Sequence, residues 1–276
     1  MGCSFFDSIP TIFIAGAVPT HQLRKNKHIR QVGFQEMEVV DIVKSLSKYT
    51  VLLRDPYKIK YELEKLIYVA KEGRPGPVVL DLTDDLAYSF IDVDKLESFV
   101  PPKTKDKIIN QKDINIILKW ISKAKAPIII YGNGIKTEKA EKELDFFLKN
   151  SNIPFAPTWA TFDLYSHEQK NLVGIFGVAA SRYGNFVIQS SDLLICLGSR
   201  LNTQLIGSKP ETFAPKAKKI MVDIDNSEFT KDNGLKIDIK INVSVKTFLN
   251  EINKHKIITK AEVLKKWQNW IESIKR

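Results

Sequence analysis

Short apolar runs alternate along this chain with longer stretches in which apolar residues recur every three or four positions. The runs have the length of buried strands, and the periodic stretches have the pattern of helices with one apolar face. Together they predict an α/β protein whose parallel sheets are covered on both faces. Strands are expected over 12–16, 78–82, 127–131, 192–198 and 219–223, the first of them buried. The clearest helix follows Asp55-Pro56: Asp55 can cap it, Pro56 suits its first position, and Ile59, Leu63, Leu66, Ile67 and Ala70 form its apolar face. Gly73 is placed to end it in a left-handed conformation.

Further helices are expected over 113–123, after Gly132-Asn133-Gly134 and near 178–189. The second of these would be capped by Thr137, with Ala140, Leu144, Phe147 and Leu148 inward. The tail, 259–276, is amphipathic, with Val263, Trp267, Trp270, Ile271 and Ile274 at helical spacing, and two tryptophans there call for a partner surface.

Between Phe90 and Lys112 the texture turns acidic, then Pro- and Lys-rich, and Pro101-Pro102 forbids a continuous helix. This divides the chain into 1–100, a domain over 104–255 and an amphipathic linker helix over 256–276. The second block reads as a complete doubly wound parallel sheet. The first supplies only about three strands, an incomplete half-domain with an exposed edge and an uncovered face.

Composition narrows the picture. The chain has 276 residues, 43% hydrophobic and 27% charged, and no apolar run approaches the roughly 20 residues of a membrane helix, so no membrane partner is expected. Its net charge of +10 is spread over lysines interleaved with acids, without an aromatic and basic platform, so no nucleic-acid partner is expected. The first residues read as folded chain, neither a signal peptide nor a myristoylation site. Cys3 and Cys196 lie far apart without metal spacing and read as buried small hydrophobes in a reducing, cytoplasmic compartment.

Candidate chemistry is sparse. His21, His28, His167 and His255 show no paired zinc spacing and read as structural, and neither a Gly-x-Ser-x-Gly elbow nor a P-loop occurs. Gly132-Asn133-Gly134 sits between a strand and a helix, either as an approach for a phosphate or as a tight turn; the third glycine of the dinucleotide fingerprint is replaced by Thr137. Gly198-Ser199-Arg200 and Asp223-Ile224-Asp225 fall at the ends of later strands, where such sheets bind ligands. An Arg beside a phosphate and an Asp beside a ribose or adenine suit a nucleotide.

These motifs carry a resemblance. Asp7-Ser8-Ile9-Pro10, Gly16-Ala17-Val18-Pro19, Gly33-Phe34-Gln35-Glu36, Ser47-Lys48-Tyr49, Gly73-Arg74-Pro75-Gly76-Pro77 and Asp81 resemble the second half of the pyrimidine-binding domain of thiamine-diphosphate enzymes of the acetolactate synthase type. Gly132-Asn133-Gly134, Gly198-Ser199-Arg200, Phe213-Ala214-Pro215 and Asp223-Ile224-Asp225 resemble the central domain of the same family. The resemblance implies decarboxylation of a 2-oxo acid and carboligation with thiamine diphosphate and magnesium. It implies that Gln35, with Phe34 beside it, borders the substrate pocket, although Gln35 also reads as a residue leading into a helix. It implies cofactor contacts at Gly132, Gly134, Arg200, Asp223 and Asp225, with FAD or ADP as the ligand. It also implies an oligomer, because relatives pair their pyrimidine and diphosphate domains across a dimer.

Two family signatures are missing from the chain. The catalytic glutamate is expected upstream of Met1, and the Gly-Asp-Gly metal-diphosphate segment does not occur. Thr83-Asp84-Asp85 stands where the acetolactate-forming branch has Pro-Lys-Asp, and Ala17 stands where a Gln is common. Arg30 to Glu36 and Lys48-Tyr49 look more like members associated with surface polysaccharides, which act on a keto-sugar. Three readings follow: a partial carboligase inactive alone, one chain of a split enzyme, or a non-catalytic nucleotide-binding module.

Overall fold

The computed structural model describes residues 1–103 and 107–275, so the expected start of the second domain, residue 104, lies outside the described residues. The chain forms two compact units, Met1–Lys105 and Asp106–Arg276.

In the first unit the helix α1 (Gly2–Phe6) precedes β1 (Ile12–Ala17), and α2 (Val39–Val43) leads to β2 (Tyr49–Leu53). Then come α3 (Ile59–Lys71), β3 (Val78–Thr83) and α4 (Asp84–Ala87). The three strands are parallel in the order β1-β3-β2. Val78 and Leu80 of β3, Leu53 of β2, and Leu66 and Ala70 of α3 form the core. Asp55 Oδ1 accepts the N–H of Tyr57 at 3.0 Å and so starts a 3-10 turn that runs into α3. Gly73 takes φ +58° just past the end of α3, and the Gly76 N–H closes onto the Ala70 carbonyl.

Strand β1 departs from the expected buried strand. It is a sheet edge, and among the described residues no strand pairs with its outer side. Ile12 and Ile14 align with Val78 and Leu80 on the face that α3 covers, yet Ile14 is 65% exposed because α3 lies over β2 and β3. Ile67, expected inside, is also exposed, and so is Cys3.

The second unit contains α5 (Gln111–Lys123), β4 (Pro127–Tyr131), α6 (Gly134–Thr137), α7 (Glu141–Ser151) and β5 (Phe155–Pro157). It continues with α8 (Arg182–Ser190), β6 (Leu193–Leu197), α9 (Thr203–Ile206), β7 (Lys218–Val222), β8 (Ile239–Ile241), α10 (Val245–Ile252) and α11 (Ala261–Ile274). Its five strands are all parallel in the order β5-β4-β6-β7-β8.

The two-residue period of β4 divides the core between the faces. Ile129 and Tyr131 pack with Ile117, Phe147 and Phe248 of α5, α7 and α10. Ile128 and Ile130 pack with Val187 of α8 and with Leu264, Trp267 and Ile271 of α11. Helices on both faces of a parallel sheet make the unit doubly wound.

Two readings are corrected here. Thr137 does not cap the long helix: it closes the one-turn α6, Lys139 follows at φ +50°, and α7 begins after Ala140 without a side-chain cap. Nor does 256–276 stand apart from the second unit. The stripe Leu264, Trp267 and Ile271 is core of the second unit, and the Trp267 indole N–H donates to the Pro127 carbonyl at 3.0 Å. The partner surface of Trp267 is thus the start of β4 in the same unit, while Trp270 stacks on the Trp267 ring and stays exposed. Among the described residues no helix is long and apolar enough to cross a membrane.

Candidate functional site

Parallel sheets present loops at the C-terminal ends of their strands, and the candidate site residues lie on such loops, Phe34 and Gln35 after β1 and Gly132, Gly134, Arg200, Asp223 and Asp225 after β4, β6 and β7. In the first unit Ala17 and Thr83 are paired at the ends of β1 and β3. Just beyond them, the Asp85 carboxylate accepts the Thr20 N–H at 3.0 Å and the Thr20 hydroxyl. The Thr20 hydroxyl is the main reason the Asp85 carboxyl lies below its ordinary pKa. Asp85, the residue after the acid that stands at the family's lysine position, therefore serves as a tie for the loop after β1.

That loop is organised by Glu36. Its carboxylate accepts the N–H of Arg24 at 2.6 Å and that of Val32 at 2.9 Å, and these bonds, the Arg24 one first, hold its pKa low. Arg24 in turn pairs with Glu38 at 3.0 Å and donates to the Ile29 and Arg30 carbonyls. Gly33 is buried where a Cβ would stand 2.9 Å from the Val18 side chain. Phe34 and Gln35 project from the turn, Phe34 81% exposed and Gln35 at φ +59°. Gln35 lies in the loop ahead of α2, whose N-cap is Glu38.

The reading of the sequence gave no role to Asp81. It sits on the central strand β3, only 2% exposed, and its Oδ1 has no hydrogen-bond partner. Burial pushes its carboxyl pKa up. The available signal was an acid in the middle of an apolar strand.

In the second unit the ends of β4, β6 and β7 bring the other candidates together. The Gly132 N–H donates to the Leu197 carbonyl at 2.9 Å, and the Gly134 N–H to the Gly198 carbonyl at 3.1 Å. Arg200 follows on the same loop, and its carbonyl accepts the Lys231 ammonium at 2.8 Å. Asp223, buried at the end of β7, accepts the Asp225 N–H at 2.9 Å. Asp225 accepts the Ser227 N–H at 2.9 Å and so caps the 3-10 turn Asn226–Phe229.

Among the described residues no group of three His, Cys, Asp or Glu is placed to hold a metal ion.

The comparisons agree with this architecture. Residues 114–252, just over half of the chain, match the family model for the central domain of thiamine pyrophosphate enzymes. Acetolactate synthase 2, chloroplastic, of Nicotiana tabacum is 28% identical over 83% of the chain and 34% of its own length. The probable acetolactate synthase large subunit of Methanococcus aeolicus is 30% identical over 90% of the chain and 41% of its own length. The acetolactate synthase large subunit of Haemophilus influenzae is 26% identical over 96% of the chain and 46% of its own length. The chain thus spans between a third and a half of the length of these relatives. With its doubly wound second unit matched from within α5 to the end of α10, the chain belongs to the thiamine pyrophosphate enzyme family, in the group that resembles the acetolactate synthase large subunit.

Proposed function

We propose that these 276 residues form part of a 2-oxo acid decarboxylase or carboligase and do not catalyse by themselves. The open edge of β1 carries this reading. An all-apolar strand with Ile14 bare on one face, and with no charge or proline guarding its free N–H and C=O groups, has the composition of a strand inside a larger sheet. Further polypeptide, in the same chain or another, completes that sheet and supplies the glutamate and the metal-diphosphate segment. Thiamine diphosphate then provides the carbanion chemistry. The part of this chain is to present the 24–38 loop, held by Glu36 and Arg24, with Phe34 and Gln35 toward a 2-oxo acid.

The test is carbon dioxide release from pyruvate by the purified 276-residue protein with thiamine diphosphate and magnesium. No release above the protein-free control is expected. Cofactor-dependent release without any other polypeptide overturns the reading.

A further inference from the structure

A ligand enters a doubly wound sheet at the crevice between the two strands from which the chain departs in opposite directions. Here those strands are β4 and β6: β4 leads to β5 on one side, and the return crossover sets β6 on the other. At that crevice the loops after β4 and β6 approach each other closely. A Cβ at Gly132 would stand 2.6 Å from the Gly198 carbonyl oxygen and 2.8 Å from Ser199 Cβ. One at Gly134 would stand 2.8 Å from Gly198 Cα, and Gly198 itself sits at φ +58° with its own Cβ position 2.8 Å from Gly134 Cα. Apart from Ser199 Cβ the two loops meet backbone to backbone, joined by the hydrogen bonds from Gly132 and Gly134.

A diphosphate needs N–H groups that point at it from the start of a helix. The N–H groups of Gly132 and Gly134 are already donated, and the helix after them, α6, has only four residues, too few to build an appreciable dipole. Arg200, Asp223 and Asp225 are likewise engaged within the chain. These residues do not fit the nucleotide that the resemblance brings with it.

We propose that Gly132, Gly134 and Gly198 form a clasp that joins β4 to β6 and closes the switch point, and that this chain takes up neither FAD nor ADP. Calorimetric titration of the purified chain with FAD and with ADP tests the second half. No saturable heat is expected, and saturable binding of either nucleotide overturns the proposal. Hydrogen exchange followed residue by residue tests the first half without a mutation. The Gly132 and Gly134 amides are expected to exchange more than about 100-fold slower than in an unfolded chain, as amides of a closed ladder do. Exchange at the unfolded rate means that the clasp does not exist. Gly134→Ala adds a third reading: a lowered thermal midpoint, or failure to fold, supports the clasp, and an unchanged midpoint overturns it.

Discussion

The Asp85 carboxylate accepts both the N–H and the hydroxyl of Thr20, and so ties the end of β3 to the loop that leaves β1, across 65 residues of sequence. The bond requires the ionised acid. Because Thr20 lowers the Asp85 pKa in the folded state, the stabilisation is present above the unfolded value of about 3.9 and is lost as pH falls through the lower folded value. Asp85→Asn therefore unfolds at a lower temperature than the parent at pH 6, and the two converge near pH 2. Thermal scans across that range check it, and parallel curves would mean that the carboxylate contributes nothing.

Asp81 behaves in the opposite sense. Burial raises its pKa, so the folded state holds its proton more tightly, and the unit loses stability as pH rises from the unfolded value through the raised one. A buried carboxylate oxygen without a partner costs on the order of 1 kcal/mol or more, so Asp81→Asn gains about 1 kcal/mol on the parent between pH 3 and 7. Urea unfolding at the two pH values measures the difference.

Trp267 ties α11 to the start of β4 through both its ring and its N–H. Trp267→Phe keeps most of the packing but leaves the Pro127 carbonyl short of a donor, a cost of about 1 kcal/mol. Trp267→Ala also opens a cavity and costs about 3–5 kcal/mol. Urea unfolding followed by circular dichroism separates the two, and equal midpoints would show that the tail helix is not core.

Ile14 stands bare on an unguarded edge strand. Ile14→Lys places a charge on that edge at a side chain that lies beside Leu80 but is mostly exposed. Light scattering is expected to show less association at high protein concentration, with the thermal midpoint unchanged within about 1 °C for a surface position. A midpoint that falls by much more would place Ile14 in the core.

Much of this architecture was legible in the sequence because local rules determine it. The apolar run over Pro127–Tyr131, the Asp55-Pro56 start of the helix and the Gly73 stop each depend on a few neighbouring residues, and each lies where its pattern puts it. The three-residue strands β5 and β8 were missed, since so short a run gives no periodic signal and its pairing depends on β4 and β7. The candidate residues at strand ends were found as motifs, but their partners were not. Gly132 and Gly134 were read either as an approach for a phosphate or as a tight turn, and the atoms they meet belong to a loop some 65 residues further along the chain.

The sequence by itself determined the α/β class, the run of helices and strands along the second unit, and the family. All three rest on spacing and residue type, which are local. Only the tertiary structure decided that β1 is an open edge, that the tail helix packs beneath β4, and that three glycines bring the loops after β4 and β6 into contact. Each of these turns on which distant segments come into contact, and strand order, helix docking and backbone approach leave no periodic trace in the residues that take part.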